Sequence, residues 1–160
     1  MPALSFYAVL EAVQESYNMY CLNERPKVFL IQACAGSGKT LLARTISHMF
    51  RGYGVSVFNS ASCGLQAQNL SDGKTNHSMY GLPVSDETHI TSTFDIASRS
   101  VDNFVGGVHI LDEVQNQHAK NIEAIEALLT DVAVGSIRQD GRKFAGASTV
   151  IMFADMQQVS

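Results

Sequence analysis

Hydrophobic residues recur along the chain in two patterns: a helical spacing of three to four residues, and short continuous apolar runs. The helical spacing indicates amphipathic helices, and short apolar runs are typical of strands buried on both faces. The predicted helices cover residues 3–19, 39–53, 62–70 and 119–133. The predicted strands are 27–33, 55–60, 108–111 and 149–153. Strands that alternate with helices predict an α/β fold with a mainly parallel central sheet.

The remaining segments are polar or rich in glycine and predict connections rather than regular elements. A turn is expected at 71–74, an irregular loop at 81–94 and a second loop at 135–147. The chain has 160 residues, of which 46% are hydrophobic and 16% charged. This size and composition suit one globular domain with its own core, so we expect residues 1–160 to form a single domain.

Charge and cysteine content exclude several classes of protein. The formal net charge of −4 gives no general attraction to nucleic acids or anionic membranes, so any DNA contact must be local. The three cysteines have no C-x-x-C spacing, which disfavours a disulfide framework or a zinc site and favours a reducing intracellular compartment. No apolar run approaches 18 residues and the N-terminus lacks a signal-peptide pattern, so no membrane association is expected.

The run from Ala33 to Thr40 joins a predicted strand to a predicted helix and predicts a phosphate-binding loop. Its glycines allow the main chain to curl, so that N–H groups and the helix N-terminus face a phosphate. Lys39 would reach the β- and γ-phosphates of ATP, and the Thr40 hydroxyl would bind Mg²⁺. The competing interpretation is a glycine-rich turn with a solvated lysine. The candidate nucleotide-binding residues are Ala35, Gly36, Ser37, Gly38, Lys39 and Thr40.

Two acids follow the predicted strand 108–111, at the end of a parallel strand where α/β proteins gather their chemistry. Asp112 would hold Mg²⁺ opposite Thr40, and Glu113 would polarise the attacking water. The alternative is that these acids only cap the following helix. Gln158, after the last predicted strand, could contact the γ-phosphate or its water, although the sequence pattern alone favours a polar tail.

In their order, these motifs resemble those of the Pif-type DNA helicases of superfamily one, which include the helicases of rolling-circle transposons. The resemblance covers residues 6–159. The segment 72–78 and the later Gly-Leu-Pro at 81–83 are similar to the family's Gly-Gly-Arg-Thr-Ala-His-Ser and Ile-Pro. Asp112 and Glu113 match its Walker B acids, with Val114-Gln115 in place of the usual Ala-Pro. Further similar segments are 59–64, 144–147 and 154–158, the last of which places Gln158 on the family's sensing glutamine.

The resemblance implies a P-loop NTPase fold of the RecA-like type, a three-layer sandwich that forms the first of two motor lobes. It implies an ATP-dependent 5′-to-3′ DNA helicase acting in DNA repair, recombination or telomere maintenance, with the nucleus as a possible compartment. Its partners would be single-stranded DNA and a second RecA-like lobe, without which the chain should be weakly active or inactive. The residues carried over to the DNA channel are Ser62, Gly64, Thr75, His77 and Ser78.

Two other functions stay open at this point. The chain could be a P-loop ATPase or kinase unrelated to DNA, or a non-catalytic truncated remnant. Taken alone, His77 is more readily interpreted as a structural histidine than as a DNA contact. The sequence gives no indication of the oligomeric state.

Overall fold

In the part of the chain that the structure describes, the centre of the fold is a sheet of five parallel strands. The computed structural model describes residues 6–23, 26–97, 101–133 and 143–155. The strands are β1 (Lys27–Ala33), β2 (Val57–Ala61), β3 (Lys74–Thr75), β4 (Val108–Asp112) and β5 (Thr149–Asp155). Their order across the sheet is β1-β5-β4-β2-β3, and every neighbouring pair is parallel. The predicted α/β fold with a parallel sheet is therefore confirmed.

Over the described residues, five α-helices and two short 3-10 helices flank the strands. The α-helices are α1 (Phe6–Asn23), α2 (Lys39–Gly52), α3 (Gly64–Ala67), α4 (Asn76–Tyr80) and α5 (Ala119–Asp131). The 3-10 helices are Asp102–Phe104 and Val114–Asn116. Among the described residues no helix is long and apolar enough to cross a membrane.

The sheet separates two hydrophobic cores because successive strand residues point to opposite faces. On one face, α1 and α2 pack against β4 and β5 through residues such as Ile46, Phe50 and Ile110. On the other, α4 and α5 pack against the sheet through Tyr80 and Leu129. Helices therefore cover both faces, and the fold has three layers.

The second core contains a buried polar pair. Tyr80 and His109 are both fully buried, with the Tyr80 hydroxyl 3.1 Å from His109 Nδ1 and His109 Nε2 3.2 Å from the Phe104 carbonyl. A carbonyl only accepts, so Nε2 carries the proton and Nδ1 accepts from the tyrosine. Burial lowers the pKa of His109 to about 4 and raises the pKa of Tyr80 above its usual value. The pair is neutral and hydrogen-bonded inside the fold.

The boundaries of several elements differ from the sequence prediction. The first helix runs on to Asn23, and the helix expected over 62–70 is only the four-residue α3. The strand expected over 55–60 starts two residues later and covers Val57–Ala61. Residues 81–97 contain no helix or strand, as predicted for 81–94. Most of the predicted loop 135–147 lies outside the described residues.

Candidate active site

The loop between β1 and α2 has the backbone conformation that its glycines allow. Gly36 and Gly38 have φ angles of +74° and +91°, which are favourable for glycine and strained for other residues. The turn is closed by hydrogen bonds from Ser37 N to the Cys34 carbonyl (3.3 Å) and from Leu42 N to the Gly38 carbonyl (2.9 Å). Ala33 lies in β1 and needs no positive φ. The alanine at the first position of the motif is therefore compatible with the loop.

Lys39, the first residue of α2, crosses the loop rather than extending into solvent. Its Nζ donates to the carbonyls of Ala33 (2.8 Å) and Cys34 (2.9 Å). The same ammonium lies 3.7 Å from the carboxylate of Asp155, and both side chains are largely buried. The interpretation of Lys39 as a solvated lysine on a turn is therefore wrong. Ala35, Gly36 and Ser37 are exposed, while Gly38 and Thr40 are half-buried.

Asp112 ends β4, and the residue is 6% exposed. Burial, together with the nearby Glu113 carboxylate, raises the pKa of Asp112, while the hydrogen bond from the Glu113 main chain and the Lys39 ammonium act in the opposite direction. The influence of Lys39 on this pKa indicates that the lysine and the acid share one electrostatic environment. Strand β4 is not next to β1, however, because β5 lies between them. The acids after β4 and the strand that leads into the phosphate loop are therefore separated by one intervening strand.

Glu113 has a strained backbone, with a φ of 55° in the left-handed region. Its N–H donates to Asp112 Oδ1 at 2.9 Å, which fixes the turn between the two acids. Its carboxylate oxygen Oε2 accepts from the side-chain amides of Gln115 and Asn116, the latter at 3.2 Å. Glu113 makes no side-chain capping bond, and α5 begins six residues later after His118. The structure therefore does not support the simple helix-cap interpretation.

Two residues at this edge were not among the sequence-predicted site residues. Asp155 ends β5 in register with Ala33, beside the start of the phosphate loop. Gln115 accepts a hydrogen bond from the Asp155 main-chain N–H at 3.1 Å. The sequence does offer one indication of Asp155, since it is an acidic residue that closely follows the apolar run 149–153. Gln158 lies outside the described residues, and its predicted role stays a prediction.

The donor set suits magnesium bound together with a nucleotide. Mg²⁺ prefers oxygen ligands and takes most of them from phosphates and water, so one or two protein oxygens are enough. Thr40 offers a hydroxyl at the start of α2, and Asp112 offers a carboxylate. Over the residues that the structure describes, no group of three or more His, Cys, Asp or Glu side chains could hold a metal by itself.

The candidate DNA residues lie in two neighbouring segments. Strands β2 and β3 are paired with Ala61 opposite Thr75, so the segments that follow them leave the sheet side by side. The Ser62 hydroxyl donates to Gln66 Oε1 at 2.6 Å, and the Thr75 hydroxyl accepts from the Ser78 N–H at 3.2 Å as the N-cap of α4. Both hydroxyls thus have local structural roles. Gly64 and Ser78 are exposed and His77 is half-buried.

The turn that leads to the second segment is fastened to α2. Buried Asn59 accepts from the Ser47 hydroxyl at 2.8 Å and donates to the Ser71 carbonyl at 2.7 Å. Arg51 Nη1 donates to Asp72 Oδ2 at 2.8 Å. The helix that starts at the phosphate loop therefore also positions the turn before Thr75.

The sequence matches the family model of the PIF1-like helicases over residues 7–160. The chain belongs to this family. This result confirms the resemblance to Pif-type helicases, which the motifs at 33–40, 72–78 and 112–113 indicated.

Individual relatives agree with the family assignment. The ATP-dependent DNA helicase Pif1 of Psychrobacter sp. (strain PRwf-1) is 29% identical over 128 residues, which is 78% of this chain and 18% of that protein. The crystal structure of the Pif1 helicase from Candida albicans aligns with 96% of the chain at a TM-score of 0.66 and 21% identity. Bacteroides Pif1 bound to single-stranded DNA aligns with 89% at a TM-score of 0.59 and 23% identity.

These likenesses establish the RecA-like fold of the PIF1-like helicases for this chain. The chain spans 33% and 32% of the two solved structures and less than a fifth of the curated relative. It therefore corresponds to one lobe of such a helicase.

Proposed function

We propose that this chain is the ATP-binding motor lobe of a DNA helicase and that it hydrolyses ATP at the loop between β1 and α2. The observation that carries this proposal is the position of Lys39. Its ammonium spans the phosphate loop and lies beside Asp155, which ends β5, the strand next to that of Asp112. A lysine ammonium at a glycine loop, with acidic residues at the ends of the adjacent strands β4 and β5, is an arrangement that can bind a triphosphate and its metal ion.

The loop itself would bind the phosphates. Main-chain N–H groups from Ala35 to Gly38 would surround the β-phosphate, and the N-terminus of α2 adds a favourable field. Lys39 would exchange the carbonyls of Ala33 and Cys34 for phosphate oxygens of higher charge. The loop is exposed enough to admit such a ligand.

The acids would carry the hydrolysis. Thr40 and Asp112 would hold Mg²⁺, which supplies charge neutralisation at the phosphates. Glu113 would orient and polarise the attacking water through its carboxylate. Gln158 would contact the γ-phosphate or this water, as its place in the family's last motif implies.

Single-stranded DNA is the proposed partner. Ser62, Gly64, Thr75, His77 and Ser78 would contact its phosphates or shape its channel, which agrees with the adjacency of the ends of β2 and β3. Because the net charge is −4, hydroxyl and main-chain N–H donors rather than a basic surface would make these contacts. The Bacteroides relative was solved with single-stranded DNA bound.

The finer assignments follow from the family alone. We propose 5′-to-3′ movement, a role in DNA repair, recombination and telomere maintenance, and an intracellular location that includes the nucleus. The second RecA-like lobe would complete the ATP cleft and supply an arginine finger, which carries a large share of the rate in such sites. Alone, the chain should turn over ATP slowly.

The test begins with calorimetric titration of the chain with Mg²⁺-ATP. Wild type should bind, Lys39→Ala should not, and the exposed control Lys27→Ala should bind as wild type does. Fluorescence anisotropy with a labelled single-stranded oligonucleotide then tests the DNA contact, with Thr75→Ala and His77→Ala as the weakened variants. Binding of ATP without binding of DNA would favour an ATPase unrelated to DNA. Binding of neither would favour a non-catalytic remnant.

A further inference from the structure

We propose that Gln115 is a positioning residue that fixes the carboxylate of Glu113 against the end of β5. This inference rests on the proposed function, because Glu113 is the proposed base of ATP hydrolysis. Gln115 lies in the 3-10 helix Val114–Asn116, directly after the two acids, and is half-buried.

The side-chain amide of Gln115 connects Glu113, directly after β4, to Asp155 at the end of β5. Its Nε2 donates to Glu113 Oε2, and its Oε1 accepts from the main-chain N–H of Asp155 at 3.1 Å. A carboxamide both donates and accepts, so it can satisfy a carboxylate on one side and an N–H on the other. An aliphatic side chain can make neither bond, and a carboxylate can make only the second.

The bridge acts on a residue whose backbone leaves little freedom. Glu113 is held in the left-handed region with its N–H bonded to Asp112 Oδ1. Its Oε2 accepts from two amides, those of Gln115 and Asn116. Its Oε1 receives neither of these bonds and is the oxygen that would face water. The amides therefore set the direction in which Glu113 presents its second oxygen.

The far end of the bridge is part of the nucleotide site. Asp155 lies in register with Ala33 on β1, and its carboxylate is 3.7 Å from Lys39 Nζ. The position of the Glu113 carboxylate, directly after β4, is therefore tied to β5, whose Asp155 contacts the phosphate-binding lysine. A shift of β5 relative to β4 would move the base or break the bridge.

The first experiment measures steady-state ATP hydrolysis by the chain with Gln115→Met, which keeps the length and removes the amide. We expect kcat to fall about ten- to a hundredfold, with KM changed less than about twofold, because misplacing a base affects chemistry more than binding. The matched control is Gln117→Met, which removes a hydrogen bond to Asn121 without touching Glu113. In the Glu113→Gln background, Gln115→Met should have no further effect on kcat. A kcat within twofold of wild type would overturn the proposal.

The second experiment uses the pH profile, which a merely structural role would not change. In Gln115→Glu the introduced carboxyl can donate to Glu113 only while protonated, whereas the ionised form repels Glu113, Asp112 and Asp155. Turnover relative to wild type should therefore rise as the pH falls. A ratio independent of pH would contradict the role of the donated hydrogen bond.

A third measurement separates failure of this inference from failure of the proposed function. If wild type hydrolyses ATP no faster than Glu113→Gln, the proposed function fails, and the inference fails with it as a statement about catalysis. The contact between Gln115 and Glu113 is then tested by urea unfolding. If the contact exists, the shift in the urea midpoint caused by Gln115→Met should be less than half as large in the Glu113→Ala background as in wild type. Equal midpoint shifts in the wild-type and Glu113→Ala backgrounds would show that Gln115 and Glu113 do not interact. If Glu113→Gln is inactive while Gln115→Met is as active as wild type, only the inference fails.

Discussion

The ammonium of Lys39 lies 3.7 Å from the carboxylate of Asp155, although the two residues are far apart in the sequence. Parallel pairing of β1 and β5 makes this possible, because it places Asp155 beside Ala33 at the entry of the phosphate loop. The side chains are 10% and 4% exposed, so water screens the pair only partly. A bound phosphate would have to share Lys39 with this acid.

Replacing Asp155 by Asn should strengthen the binding of metal-free ATP. The substitution removes a negative charge near the phosphates and releases Lys39 to them, so we expect Kd to fall about two- to tenfold at low salt. Calorimetric titration at two salt concentrations measures this effect. Asp86→Asn changes the same charge at an exposed position and serves as control. Weaker binding by Asp155→Asn would show that the acid supports the nucleotide instead.

Replacing Glu113 by Gln should leave ATP binding intact and block turnover. The amide keeps the shape of the side chain but cannot accept a proton, and loss of a general base costs roughly a hundredfold or more. Phosphate release and calorimetry on the same protein separate the two effects. The exposed acid Glu123 on α5 provides the control Glu123→Gln. If turnover survives in Glu113→Gln, another group activates the water.

Acid should destabilise the fold through His109. Burial lowers its folded pKa to about 4, whereas the unfolded value is near 6.5. Between pH 4 and pH 6.5, position 109 therefore binds a proton more tightly in the unfolded chain than in the folded one. The contribution of neutral His109 to the free energy of unfolding is complete above pH 6.5 and is lost as the pH falls toward 4. The difference between the folded and unfolded pKa values corresponds to about 3 kcal/mol in the free energy of unfolding.

Urea unfolding at several pH values measures this loss. His109→Gln should flatten the dependence between pH 6.5 and 4, while the exposed control His89→Gln should retain it. An unchanged slope in His109→Gln would assign the acid sensitivity to other groups. Asp112 is not among them, because its raised pKa favours the folded state as the pH falls.

The turn before Thr75 should depend on Asn59 more than on Arg51. Asn59→Ala leaves the buried Ser47 hydroxyl and the Ser71 carbonyl without this partner and should cost about 2 kcal/mol. Arg51→Ala breaks an ion pair whose Asp72 side chain is 85% exposed, which should cost less than about 1 kcal/mol. Urea unfolding of both variants gives the comparison. A larger loss in Arg51→Ala would contradict the ranking.

The parts of the site that the sequence predicts are local. The apolar run before Ala33, the two positive-φ glycines and the acids after β4 each carry their signal within a few residues. The strand order carries no such signal, because it is decided by packing between distant segments. Asp155 was therefore missed as a partner of Lys39, and the sequence gives no prediction of the place of β5 between β1 and β4.

Short elements were missed for a different reason. Strand β3 is two residues long and exists through its pairing with Ser60 and Ala61, so it has no periodicity of its own. Helix α4 has five residues and is specified by its Thr75 cap and the packing of Met79 and Tyr80. Gln115 was visible only as a departure from the family pattern, and its bridging amide depends on where β5 ends.

The insertion of β5 between β1 and β4 also determines when the fold can close during synthesis. Among the described strands, β1 pairs only with β5, so a nascent chain that ends before residue 149 has no partner for the strand that leads into the phosphate loop. The loop and its lysine leave the ribosome before β5, yet they can meet the acids of β4 only after β5 has emerged. We therefore expect affinity for nucleotide to arise in one step, once β5 has left the ribosome.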